Sequence, residues 1–235
     1  MIKVLTWLWR APECRTQYTA DHVNTWADMV RRNLTMDHTI ACVTDMPEGI
    51  APGIEIIPLP QDFVDVRIPT WGENAPQCLR RLAMYAPDAA DRFGDRFVSM
   101  DLDVIICGAL DPLFDVPDDF KIYKGTSRKR PYNGSMQLMT AGARSKVYTE
   151  FTPERAAEAG RRYIGSDQAW ISHCLGGGEA TWHLEDGVAW WGNRHQSPVD
   201  KRRMMFFPGH FKPWDAPYSS AESKWAQAHY RQEAA

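Results

Sequence analysis

The chain is poor in the features that mark specialised protein classes. Its 235 residues carry only five cysteines (Cys14, Cys42, Cys78, Cys107 and Cys174), odd in number, widely spaced and without a C-x-x-C pair. Neither a disulfide framework nor a zinc knuckle is indicated, and a reducing, cytoplasmic setting fits that usage. No apolar run approaches the roughly 18–20 residues a membrane span requires, so no transmembrane segment is expected. There is no excess of positive charge: 27 Lys and Arg against 30 Asp and Glu give −3, which argues against a nucleic-acid partner, since phosphate contacts need a basic face. The seven histidines show no H-E-x-x-H spacing and the serines no G-x-S-x-G elbow. Gly176-Gly177-Gly178 is followed by no Gly-Lys-Ser/Thr, so it is not a phosphate loop and reads as the stop of a helix. Met1–Arg10 is too short and too rich in tryptophan for a secretory signal.

What remains is an ordinary globular composition, 44% hydrophobic and 24% charged, arranged as alternating strands and helices. Ile2–Leu8 and His38–Thr44 are apolar runs of strand formers, and Ile54–Ile57 is a third, closed by Pro58 and Pro60. Between the first two, Val23, Trp26, Val30 and Leu34 recur at helical spacing, with Asp21 in position to cap. Such alternation predicts a parallel sheet with crossover helices. Leu79, Leu82 and Tyr85 continue the helical pattern, and Arg96–Ile106 is a buried strand running through an acidic corner. Further strands are predicted over Tyr132–Thr140, Trp182–Leu184, Val188–Trp191 and Arg203–Phe207, and helices near Ser145–Phe151 and Ser166–Leu175. No repeat or linker divides the chain, so one domain is expected over residues 1–218, with 219–235 a surface helix or tail.

The acidic corner is Asp101-Leu102-Asp103. Residues two apart on an extended chain point the same way, so both carboxylates face one place at the carboxyl end of a strand, where open α/β sheets bind ligands. Two hard oxygen donors suit Mg²⁺ or Mn²⁺ on a nucleotide diphosphate; a solvated turn is the alternative.

Phe97–Ile105 resembles the D-x-D segment of GT-A-fold glycosyltransferases, especially the retaining group around glycogenin and the lipopolysaccharide galactosyltransferases. Other segments follow in the order of that family. Leu79-Arg80-Arg81-Leu82 is similar to its helix that presents a basic residue, here Arg81, to the donor phosphate and sugar. Tyr132-Asn133-Gly134-Ser135-Met136 resembles its F-N-S-G-V strand with Gly and Ser exchanged, and places Asn133 near the donor sugar; an N-G turn is the alternative. Gly165-Ser166-Asp167-Gln168 looks like its G-x-D-Q segment, with Asp167 and Gln168 at the reacting face; a helix cap at Ser166 or Asp167 is the alternative. Phe207–Trp214 resembles its H-F-x-G-x-x-K-P-W close, with Gly209, Lys212, Pro213 and Trp214 in register. The chain departs from the family at Phe206, where a metal-binding histidine would fall; His210 lies four residues on.

The resemblance implies a single α/β/α GT-A-type domain with a mostly parallel sheet. It implies a glycosyltransferase that moves a hexose from a nucleotide diphosphate sugar, UDP favoured, to a hydroxyl on a glycan, lipid-linked or protein acceptor, with retention. Asp101 and Asp103 would hold Mn²⁺ or Mg²⁺. Arg81, Gly209, Lys212 and Trp7 would bind the donor, and Asn133, Asp167 and Gln168 would act on the sugar. Two other readings stand beside this one: a catalytically silent nucleotide-sugar-binding protein, which Phe206 favours, and a sugar nucleotidyltransferase, which lacks its expected Gly-rich basic loop after the first strand. Trp7 and Trp9, apolar plates at the end of that strand, are placed to line the nucleotide pocket. Lys124–Arg130 reads as a basic flexible stretch that closes over a diphosphate or meets an anionic acceptor, or else as a solvated loop.

Overall fold

A computed structural model describes residues 1–72, 77–215 and 221–231. Among these residues ten strands form two sheets. They are β1 (Ile2–Leu8), β2 (His38–Thr44), β3 (Glu55–Pro58), β4 (Arg96–Met100), β5 (Val104–Ile106), β6 (Phe120–Ser127), β7 (Arg130–Thr140), β8 (Ala180–Trp182), β9 (Val188–Trp190) and β10 (Met204–Phe206). The central sheet has seven strands in the order β3-β2-β1-β4-β7-β6-β8. The neighbours β3, β2, β1 and β4 run parallel; β7 is antiparallel to β4 and β6, and β8 rejoins β6 in parallel. The mostly parallel α/β architecture expected from the sequence is therefore present.

The period-two alternation of the central strands sorts their side chains into two cores. On one face Val4, Leu8, Ile40, Cys42, Val98 and Met100 pack with Val23, Trp26, Met29 and Val30 of the helix Ala20–Asn33. On the other, Leu5, Trp7, Ala41, Val43 and Phe97 pack with Leu79, Leu82, Trp170 and Ile171. Both faces of the strands are covered, which explains their nearly continuous apolar runs. Among the described residues no helix is long and apolar enough to cross a membrane.

Several local expectations are corrected. Thr19, not Asp21, holds the N-cap of the first helix, and its backbone N–H donates to His22 Nδ1 at 3.0 Å. Leu79–Tyr85 is a 3₁₀ helix. Arg96–Ile106 is two strands rather than one, because the chain leaves the central sheet at the acidic corner. Asp101 N–H still bonds Ser135 O beside β4 at 2.9 Å, whereas β5 pairs with β10 in the three-stranded sheet. Lys124–Arg130 is no loose loop: it is the tip of the β6–β7 hairpin, with Ser127 opposite Arg130. The helix Pro153–Arg162 has no counterpart in the sequence reading, although Thr152 accepts the Arg155 N–H at 3.2 Å and Pro153 opens it. The division at 218/219 lies outside the described residues. Beyond it, residues Ala221–Arg231 are helical, with Ala226 and Tyr230 buried against the first core.

Phe97 sits in β4 between β1 and β7, fully buried and 5.5 Å from the Phe93 ring. Phe97→Ala is expected to cost about 3–5 kcal/mol, read as a lower urea midpoint at unchanged m-value.

Candidate functional site

A cavity of about 500 Å³ opens at the carboxyl ends of β1 and β4. The residues expected to hold the metal, the donor and the sugar line it: Trp7, Arg81, Asp101, Asp103, Asn133, Asp167, Gln168, Gly209 and Lys212; Pro213 and Trp214 do not. Trp9 lines it too.

The acidic corner works as strand alternation requires. Leu102 turns into the core, 3% exposed, and its two neighbours face the cavity. Each carboxylate meets a different cation. Arg81 Nη1 donates to Asp101 Oδ1 at 2.5 Å, while its Nε and Nη2 reach Asp167 Oδ2 at 2.9 and 2.6 Å. Lys212 Nζ pairs with Asp103 Oδ2 and also donates to Phe207 O at 3.2 Å. Burial works against the charge of Arg81, but Asp167 and Asp101 outweigh it and hold its pKa well above the usual range. Burial also pushes the Asp103 carboxyl upward, against the pull of Lys212 and with the help of Asp101.

The environment of Gly134, between Asn133 and Ser135, explains the exchanged Gly and Ser. A Cβ on Gly134 would lie 2.9 Å from Arg81 Nη2 and 3.2 Å from Asp167 Oδ2, so the ion pair leaves no room for a side chain there. Asn133 Oδ1 accepts the Ser135 N–H at 2.9 Å. At the start of the helix Asp167–Leu175, Ser166 occupies the N-cap position, but its side chain makes no capping hydrogen bond. Ser166 Oγ instead accepts the Cys78 N–H at 3.0 Å, and Asp167 pairs with Arg81. Gln168 Nε2 donates to Ile164 O at 3.1 Å. Gly209 has φ +94°, a conformation other residues rarely adopt. Trp7 is mostly wall: its Nε1 donates to Ser99 Oγ at 3.0 Å and its ring meets Phe93. Trp9 stands edge-on to it, with the Arg80 guanidinium 5.4 Å from its ring centre.

Tyr18 and Arg130 also line the cavity, and the sequence reading assigned neither of them individually. Burial, followed by the Asp103 and Asp101 charges, raises the pKa of the Tyr18 hydroxyl well above the usual range. It lies in the loop before the first helix, in no motif, so no sequence signal marks it.

The donor set fits a hard cation in part. Asp101 and Asp103 expose 28% and 12% of their side chains in one cavity. The histidine position, Phe206, is 1% exposed on β10 with its ring 5.2 Å from Tyr123, away from the cavity. His210 is exposed and does not line it. Among the described residues no group of three or more His, Cys, Asp or Glu side chains is placed to hold a metal. The residues present thus suit an ion that takes two protein oxygens and completes its shell with water and phosphate, as Mg²⁺ does. Such an ion competes with Lys212 and Arg81 for the same carboxylates.

No protein-family model matches the chain, and no curated protein does. Solved structures share its fold. The crystal structure of galactosyltransferase LgtC in complex with donor and acceptor sugar analogues aligns with TM-score 0.64 at 12% identity, over 98% of this chain and 96% of that one. The glycosyltransferase GlyE of Streptococcus pneumoniae TIGR4 gives 0.63 at 13%, over 99% and 62%. Mouse xyloside xylosyltransferase 1 gives 0.54 at 10%, over 88% and 97%. The fold is of GT-A type.

Two substitutions test the ion pairs. Asp103→Asn strands a buried ammonium and is expected to destabilise by about 3–5 kcal/mol, with the double variant Asp103→Asn/Lys212→Met recovering part of that loss in a urea-denaturation cycle. Gly134→Ala is expected to cost about 1–3 kcal/mol by overpacking the Arg81–Asp167 pair, on the same assay.

Proposed function

We propose that the chain is a glycosyltransferase that moves a hexose from a nucleotide diphosphate sugar to a hydroxyl acceptor. The observation that carries the reading is the convergence of Asp101, Asp103, Asn133, Asp167, Gln168 and Lys212 on one cavity at the sheet's carboxyl edge. The likeness of the fold to a galactosyltransferase crystallised with donor and acceptor sugar analogues supports it. In the reaction, the bond between the anomeric carbon and the diphosphate breaks, the acceptor oxygen forms the new bond, and the nucleoside diphosphate and one proton are released.

Lys212, 4% exposed, and the Gly209 backbone stabilise the departing diphosphate. Lys212 is a point charge on a flexible stem, so it can leave Asp103 for a phosphate oxygen. Arg81, already engaged by two carboxylates, contributes by fixing Asp101 and Asp167. Asn133, Asp167 and Gln168 orient the sugar, with retention at the anomeric carbon. Asp101 and Asp103 would hold Mn²⁺ or Mg²⁺, and such an ion would supply neutralisation of charge on the diphosphate. Trp7 and Trp9 wall the nucleotide end, with a uridine nucleotide favoured. The acceptor is a glycan, a lipid-linked sugar or a protein, and the setting is the cytoplasm.

The second reading, a silent nucleotide-sugar-binding protein, is favoured by Phe206 and by the cations already seated on both carboxylates. Turnover separates the two. A thermal-shift panel of UDP, GDP, ADP and CMP, each with and without Mn²⁺, is expected to single out one nucleotide, UDP, with a metal-dependent rise. At a hundredfold excess over Kd the gain of about 2.7 kcal/mol corresponds to roughly 5–10 °C. Release of UDP from UDP-galactose or UDP-glucose is then expected, and Asp167→Asn is expected to slow it about a hundredfold through misplacement of the sugar. Binding without release supports the silent reading; no shift with any nucleotide rejects both.

A further inference from the structure

Four cations and three carboxylates line the cavity. Two of the cations, Arg81 and Lys212, are consumed by Asp101, Asp103 and Asp167. Arg15 is exposed on the loop after β1. Arg130 is different: its Nε is buried and makes no hydrogen bond, and among the described residues no carboxylate pairs with it. Burial depresses its pKa from the usual guanidinium value, with no anion to offset the effect. A desolvated donor left unmatched by its own fold is one that a ligand can satisfy.

The residue is also held in place. A Cβ on Gly125 would lie 1.8 Å from Arg130 O, so the hairpin closes on the Arg130 backbone, and the neighbouring Lys129 O accepts the Ile164 N–H at 2.8 Å. β7 then orders the site. Ser135 lies beside Asp101, Asn133 comes next, and Arg130 stands three residues further, about 10 Å out along the strand. The carboxylate pair and Lys212 lie at one end of this line and Arg130 at the other, past the position assigned to the sugar. Between Lys121 and Met136 the chain has no acidic residue, and Lys124, Arg128 and Lys129 add positive charge to the hairpin that carries it.

We infer that the outer end of the cavity recognises an oxyanion, a phosphate or carboxylate, carried by the acceptor sugar, and that Arg130 is the residue that receives it. The inference rests on the donor–acceptor reading above and extends it to the class of acceptor. A planar guanidinium presents paired donors that match either oxyanion, so it selects for a charged acceptor over a neutral one of the same shape.

The test uses the full chain with Mn²⁺ and UDP, or with whichever nucleotide of the panel binds. Binding of glucose 6-phosphate, glucuronic acid and glucose is measured by saturation-transfer NMR, on the wild type, Arg130→Gln and Arg130→Lys. At least one anionic sugar is expected to bind roughly tenfold more tightly than glucose, with the preference lost in Arg130→Gln and partly kept in Arg130→Lys. The nucleotide-induced thermal shift is expected to stay unchanged in both variants, which also verifies their fold. Equal binding of all three sugars, or no binding of either anionic one, overturns the inference alone. So does an Arg130→Gln variant that loses nucleotide binding as strongly as sugar binding, because Arg130 then belongs to the donor end. Failure of every nucleotide to bind the wild type overturns the donor reading, and this inference with it.

Discussion

The Arg81 guanidinium holds the site together. It is 7% exposed and bonds carboxylates from two distant stretches, Asp101 at the end of β4 and Asp167 at the start of the helix Asp167–Leu175. A charge this buried is tolerable only when paired and hydrogen-bonded, and removing one partner of such a group is far costlier than any surface ion pair. Three segments are therefore obliged to meet at one point. The 3₁₀ helix Leu79–Tyr85 supplies the cation, the strand exit one anion, and the helix Asp167–Leu175 the other. Gly134 is the corollary: β7 can pass this cluster only where it lacks a side chain.

The second ion pair has a different character. Lys212 and Asp103 are as buried as the first set, but lysine has three donors on a flexible stem and no planar fork to lock it. Arg81 uses three of its nitrogens on two carboxylates and has little left to offer a ligand, whereas Lys212 can exchange one anion for another at modest reorganisation. The same cavity thus contains a fixed brace and a movable charge. Asp103 sits between Lys212 and the Tyr18 hydroxyl, so any ion arriving there meets a carboxylate that is already oriented.

Much of this was legible in the sequence, for a physical reason. The apolar runs of β1, β2 and β4 are nearly continuous because both faces of those strands are buried, and Asp-Leu-Asp breaks that pattern where the chain leaves the sheet. Asn133, Asp167 and Lys212 each stand within three residues of a glycine, and all three reach the cavity. What could not be read are pairings across the chain. Nothing local tells that Arg81 has partners 20 and 86 residues away, or that Lys124–Arg130, polar throughout, is the tip of a long hairpin. The helix Pro153–Arg162 escaped for another reason: only Ala156 and Ala159 are buried on it, too small to leave an apolar stripe. Phe206 was recognised as a departure, but its consequence needed the fold. On β10 between β5 and β9 it belongs to the core, and the cavity wall passes to its neighbours Pro208 and Gly209.

The distribution of charge along β7 gives the cavity a direction. At the Asp101 end every cation already has a carboxylate, so an incoming anion must displace one and gains only the difference. At the Arg130 end no carboxylate among the described residues pairs with the cation, so an anion there has no carboxylate to displace. Long-range attraction does not discriminate between these ends over the roughly 8–10 Å at which salt screens it, but desolvated contact does. A ligand with one strongly charged group and one weakly charged group is therefore sorted by the cost of exchange. On the proposed reading, a more highly charged diphosphate would compete for Lys212, and a single phosphate or carboxylate would settle at Arg130. That asymmetry follows from the pairing pattern of four basic and three acidic side chains, and it holds whatever sugar lies between them.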